Sequence, residues 1–162
     1  MSTKNGMINK IPVNLFKKIR TTGLKAILLK PGDELLGAHY TVKDEHIMLV
    51  AQNGKAIKFV ESDVRERFRG TLGVKGINLS GKTKLISILK PIDGEIITVT
   101  ENGYGNRVSV ENYNTQKRGG VGVIGIKTSK RNGQVVGAVN VNENDQIIMI
   151  TNKGLSLIHI SE

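Results

Sequence analysis

Apolar residues in this chain come in short blocks, not along a helical stripe. In one stretch they read Ile47–Gln52, Lys55–Glu61, Gly73–Leu79 and Leu85–Lys90, each rich in Val and Ile and bounded by Gly, Asn, Asp or Pro. Blocks of this kind predict strands, and the lack of a sustained 3.6-residue period predicts little helix. The dipeptide Asn53-Gly54 between the first two blocks predicts a two-residue hairpin turn with both central residues at positive φ.

The block pattern recurs. Asn5-Gly6, Asn53-Gly54, Asn102-Gly103 and Lys153-Gly154 follow or break apolar runs at steps of 48, 49 and 51 residues. A second marker, at Gly23, Gly73 and Gly122, keeps steps of 50 and 49, and a third, at Gly37, Ser87 and Gly137, keeps 50 and 50. Three markers in phase mean a repeat protein. Four strands in about 50 residues describe a propeller blade, since solenoid repeats are shorter or helical. The expected fold is all-β, with propeller-type (β-pinwheel) blades of four strands in about three repeats. The expected blades are 1–43, 44–93 and 94–142, with the start of a further blade over 143–162. Both ends then fall inside a blade and neither carries a capping repeat. The chain reads as a piece of a longer ring, partial or open, with unpaired edges able to recruit a second copy.

Charge narrows the class of partner. The 162 residues carry 24 Lys and Arg against 14 Asp and Glu, a net charge of +10, which favours an anionic ligand such as nucleic acid. There is no Cys, so disulfides and thiolate metal sites are excluded and a reduced compartment fits. No apolar run reaches the length of a membrane span.

The cations repeat with the blades. Four residues after the turn glycine stand Lys10, Lys58 and Arg107, with Ile158 in the fourth copy. The long connections carry Lys17, Lys18 and Arg20, then Arg65, Arg67 and Arg69, then Lys117 and Arg118. Equivalent positions in a repeat line up in space, so these cations predict a basic outer rim able to follow a bent phosphate backbone. In Gln116-Lys117-Arg118-Gly119-Gly120-Val121-Gly122, two cations precede glycines whose backbone N–H groups could approach a phosphate. A plain inter-strand loop would favour the same glycines. Aromatics are only 4% with no Trp; binding of single strands or RNA loops relies on stacking platforms, so double-stranded DNA is the expected partner. Base-specific reading is not expected without a recognition helix.

Catalytic chemistry is not expected. His39, His46 and His159 lack partners at metal-ligand spacing, and Asp33-Glu34 and Asp44-Glu45 read as turn residues. Asn142-Glu143-Asn144-Asp145 lacks the glycine and final glutamate of a calcium loop. Neither a metal nor a cofactor is expected in this chain. A kelch-like interaction propeller also has a repeat near 50 residues, but it wants paired glycines in every blade, and Gly119-Gly120 occurs once.

Several motifs in order resemble the C-terminal domain of the DNA gyrase A protein. They are Asn53-Gly-Lys-Ala-Ile-Lys-Phe, Glu61-Ser-Asp-Val-Arg, Gly73-Val-Lys-Gly-Ile, Glu101-Asn-Gly-Tyr-Gly-Asn-Arg, Gln116-Lys-Arg-Gly-Gly-Val-Gly, Thr128-Ser-Lys-Arg-Asn-Gly and Val136-Gly-Ala-Val. The resemblance implies a β-pinwheel of six blades whose rim wraps duplex DNA. It implies a bacterial, nucleoid-associated cytoplasmic setting. As partners it implies the rest of the gyrase A protein and the gyrase B protein, in an ATP-driven type IIA topoisomerase. The related domain of the topoisomerase IV A protein is the alternative. The family's gyrase-A box carries a third cation where this chain has Val121, so the stretch is a degenerate relative of it. The family's catalytic tyrosine lies in another domain, so Tyr40, Tyr104 and Tyr113 inherit no catalytic role.

Overall fold

A computed structural model describes residues 1–18, 20–151 and 154–156. The first repeat contributes β1 (Ser2–Thr3), β2 (Met7–Ile8), β3 (Ile27–Leu28) and β4 (Leu35–Gly37). The second contributes β5 (His46–Ala51), β6 (Lys55–Val60), β7 (Thr71–Leu72), β8 (Val74–Lys75) and β9 (Leu85–Leu89). The third contributes β10 (Glu95–Thr100), β11 (Gly105–Ser109), β12 (Val123–Ile124) and β13 (Val135–Val141), and β14 (Met149–Thr151) and β15 (Gly154–Ser156) form a separate hairpin. Short 3-10 turns at Val13–Phe16, Glu61–Asp63 and Val110–Asn112 follow the second strand of each repeat. The expectation of an all-β, propeller-type fold holds. Lys153, Ile158 and His159 lie outside the described residues.

The sheets do not coincide with single repeats. The three larger ones have the orders β4-β1-β2-β8, β9-β5-β6-β12 and β13-β10-β11, and β3 pairs in parallel with β7 across the first two repeats. The outermost strand of each four-stranded sheet therefore comes from the following repeat: β8 pairs with β2 through Met7↔Lys75, and β12 pairs with β6 through Val123↔Ala56. The repeats are interlocked by exchanged strands, which spares the outer edges of β2 and β6 from being left open. Among the described residues, β14 and β15 pair only with each other, so no strand there closes the arc back onto β1–β4.

Burial follows from the stacking of sheets. β5 is flanked on both faces and reads as a continuous apolar run instead of alternating. Ile47, Leu49 and Ala51 face the first sheet with Ile57, Phe59, Ile77 and Leu85. Met48 and Val50 face the third with Ile96, Val110, Tyr113, Ile126 and Val135. Burial of Tyr113 raises its phenol above the usual pKa of 10.0. The folded state thus holds this proton where the unfolded chain releases it, so the contribution is complete below pH 10.0 and is lost as pH rises through the folded value. Alkaline titration of stability by denaturant melts should show this decline, and Tyr113→Phe should flatten it.

The hairpin turns correct one expectation. Strand pairing stops at Val50↔Ala56 and Gly54 N–H donates to Ala51 O at 3.0 Å, closing a three-residue loop. Only Gly54 takes positive φ there (+79°); among the described residues, Asp44 is the one non-glycine with positive φ. A three-residue loop with its last residue left-handed is the next commonest hairpin after the two-residue form. It needs one permissive residue instead of two.

Candidate nucleic-acid interface

The long connections are held by the preceding repeat. Arg67 N–H donates to Lys10 O at 2.9 Å and Gly70 N–H to Ala26 O at 2.7 Å, so residues 65–70 lie against the first-repeat segments that follow β2 and precede β3. One repeat later, Gln116 N–H donates to Lys58 O at 2.7 Å and Gly119 N–H to Gly76 O at 2.6 Å. The second and third connections are braced alike because the same strand is exchanged in each repeat. Each is thus a ridge braced against the preceding repeat, not a loose loop.

These ridges carry exposed cations. Arg65, Arg67 and Arg69 are exposed on one, Lys117 on the next, and Lys17, Lys18 and Arg20 on the equivalent first connection. Of these, Arg67 has one side-chain bond, to Leu72 O at 3.2 Å. Beside the second and third ridges stand Lys25 and Lys75, both exposed: the bonds to Ala26 and Gly76 set each connection next to them. Neither lysine figures among the sequence candidates. The signal was present, since both hold the third place of the second repeat marker, in Gly23-Leu24-Lys25 and Gly73-Val74-Lys75.

Two expected rim cations, Lys10 and Lys58, are engaged between repeats, and a third, Arg107, is exposed but paired. Lys10 forms an ion pair with Glu61, whose side chain is 9% exposed, and lies 3.9 Å from Glu66. Lys58 Nζ donates to Val110 O at 2.9 Å. Burial lowers its pKa, with Glu111 opposing in part. Arg107 is paired with Glu95 through Nε. Lys10 and Lys58 both reach the first residue of the 3-10 turn in the next repeat. For Lys10 and Lys58 the regular spacing reflects a joint between repeats, whereas Arg107 pairs within its own hairpin. Sequence spacing alone cannot separate such a joint from an outward stripe, because a repeat duplicates internal and external contacts equally.

The glycine-rich stretch is likewise built into the fold. Arg118 donates to Asp63 O at 3.0 Å and to Lys75 O at 3.1 Å, tying three segments together. The Gly119 N–H, expected to cradle a phosphate, is already bonded to Gly76 O. Gly122 takes φ +72° where a Cβ would lie 2.5 Å from Ala56 O, so β12 reaches β6 only because the residue is glycine. Gly120 O accepts from Asn78 N–H at 2.7 Å, and the Gln116 side-chain oxygen lies beside Gly120. Lys117 is left as the exposed cation of this stretch.

Other concave and titratable features among the described residues are taken up by the fold. A cleft of about 1130 Å³ lies between the first and second sheets; of its charged lining residues Lys10 and Glu61 pair with each other, and Lys43, Arg65 and Glu66 line it as well. Glu45 is held below the usual carboxylate range by hydrogen bonds from Lys90 and from the Val42 N–H. His46 sits in β5 with Nε2 at 3.1 Å from Thr115 Oγ1, an ordinary strand contact. Among the described residues, no helix is long and apolar enough to cross a membrane.

Comparison with known proteins agrees with this geometry. The chain is 46% identical to the DNA gyrase A protein of Escherichia coli (strain K12) over 155 residues, covering 95% of this chain and 18% of that protein. The chain thus spans about a fifth of the length of the curated relatives it matches. A solved structure of the DNA gyrase A C-terminal domain superposes with a TM-score of 0.82 at 32% identity, over 92% of this chain and 50% of that one. The C-terminal domain of DNA topoisomerase IV gives a TM-score of 0.90 at 28% identity, over 97% and 50%. The two measures rank the neighbours oppositely. The model of the family described as DNA gyrase C-terminal domain, beta-propeller, matches residues 1–41, 45–91 and 94–142. The chain belongs to the DNA gyrase C-terminal domain family.

Proposed function

We propose that this chain binds duplex DNA by its phosphates along the outer ridges and bends it, as the wrapping part of a gyrase A protein. The carrying observation is the recurrence of exposed cations on the connections: Lys17, Lys18 and Arg20, then Arg65, Arg67 and Arg69, then Lys117, with Lys25 and Lys75 beside them. Cations at regular intervals on a curved edge suit a bent phosphate backbone, and rigid placement lowers the entropy lost on binding. Among the described residues, reading of base edges has no support from an exposed helix or ribbon. In the bacterial cytoplasm the chain would act with the rest of the gyrase A protein and with the gyrase B protein, which supplies ATP hydrolysis. The wrapped segment would then be offered for strand passage, giving negative supercoils.

Fluorescence anisotropy with two unrelated duplexes of equal length tests the reading. Both should bind within a few-fold of each other, and log K should fall linearly with log salt by roughly 0.9 per phosphate contacted. A flat salt response, or strong preference for one duplex, would overturn it.

A further inference from the structure

The second ridge carries a residue that phosphate binding does not explain. Phe68 stands between Arg67 and Arg69 and is 76% exposed. The equivalent places in the first and third connections are Lys18 and Lys117, at steps of 50 and 49. The middle repeat thus replaces a rim cation by an aromatic ring.

The ring is presented on a fixed backbone. Arg67 N–H is bonded to Lys10 O at 2.9 Å, Gly70 N–H to Ala26 O at 2.7 Å, and Phe68 O accepts from Thr71 Oγ1 at 2.7 Å. Arg67 is further tied to Leu72 O. Bonds on both sides of Phe68 leave its ring in water although the chain around it is anchored. A phenyl ring has no hydrogen-bond donor to offer phosphate oxygens, whereas a guanidinium has five. Contact with phosphates therefore falls to the flanking arginines, and the ring is suited to an apolar partner.

Bending supplies that partner. Proteins that bend duplexes insert apolar wedges between base steps, unstack them in part and kink the helix by about 20–90°. Such a wedge needs an apolar side chain on a rigid support, flanked by cations that clamp the phosphates on either side. Arg67-Phe68-Arg69 has all three. Resting on the DNA-wrapping reading above, we infer that Phe68 inserts between base pairs and localises a kink at the second ridge, while Arg67 and Arg69 hold the adjoining phosphates.

The test uses the 162-residue chain with a duplex carrying 2-aminopurine and end-attached fluorophores for energy transfer. Wild type should raise 2-aminopurine emission and bring the ends together. Phe68→Ala should lose the emission rise and open the bend by on the order of 20° or more, with an unchanged melting temperature and salt slope. Phe68→Leu, which keeps an apolar wedge, should restore both signals. Phe68→Lys, which copies the neighbouring repeats, should steepen the salt slope by roughly 0.9 without restoring emission. Wild-type emission and bend in Phe68→Ala would overturn the wedge alone, as would a loss of salt slope in that variant. Failure of wild type to bind any duplex would overturn the DNA reading and the wedge with it.

Discussion

Gly54→Ala should lower the melting temperature by about 10 °C, whereas Gly103→Ala should lower it by only a few degrees. Both glycines take positive φ, +79° and +80°, where an L-residue is strained by about 1–2 kcal/mol. Their surroundings differ. A Cβ on Gly54 would lie 2.0 Å from Ile126 O, and one on Gly103 meets nothing within 4 Å. Gly54 O also accepts from Gly125 N–H at 2.9 Å. The added methyl must therefore push the third repeat off the second, breaking the exchange of β12 onto β6. Strain and displaced packing together come to about 3–5 kcal/mol, and each kcal/mol shifts the midpoint of a domain this size by about 2–4 °C. Circular-dichroism melts of the two variants check this. Equal losses would mean that turn strain alone matters and that the contact between repeats is unimportant.

Replacing Arg65, Arg67 and Arg69 together by Ala should weaken duplex binding and reduce the salt slope by about 2.7, at roughly 0.9 per phosphate contact. All three are exposed on one ridge, so their removal empties no core and should leave the melting temperature within a few degrees. The one side-chain bond lost is that of Arg67 to Leu72 O. Arg118→Ala should behave in the opposite way. Its guanidinium joins Asp63 O and Lys75 O, so stability should fall more than DNA affinity.

Much of the fold was legible because repetition makes a weak signal strong. Single apolar blocks such as Ile47–Gln52 do not fix an architecture, but the same block at steps near 50 does. What escaped was the partner of each block. Val74–Lys75 and Val123–Ile124 read as the third strand of their own repeats, yet each is hydrogen-bonded to the repeat before. A strand of two residues carries no register information, and a shift by one whole repeat leaves every pattern in phase. The turn at Gly54 was found but its loop length was not, since Asn-Gly serves both two- and three-residue hairpins.

The candidate site was legible in part for the same reason. Exposed ridge cations and the joint-forming Lys10 and Lys58 recur with one period, so spacing grouped them together. Separation came only from the partners, Glu61 for Lys10 and Val110 O for Lys58. Lys25 and Lys75 share a marker whose glycines carry the stronger signal, and the third copy has Ile124 in their place, so the marker does not single out a cation.

The most direct measurement compares two variants with equal net charge. One lacks Arg65, Arg67 and Arg69; the other lacks Lys30, Lys43 and Lys82, which are also exposed but lie on the turns that lead into β4, β5 and β9. Each loses three positive charges, so a response to net charge alone would be the same in both. If DNA lies along the ridges, the salt slope of duplex binding should drop by about 2.7 in the first and stay near the wild-type value in the second. Equal drops in both variants would contradict binding along the ridges.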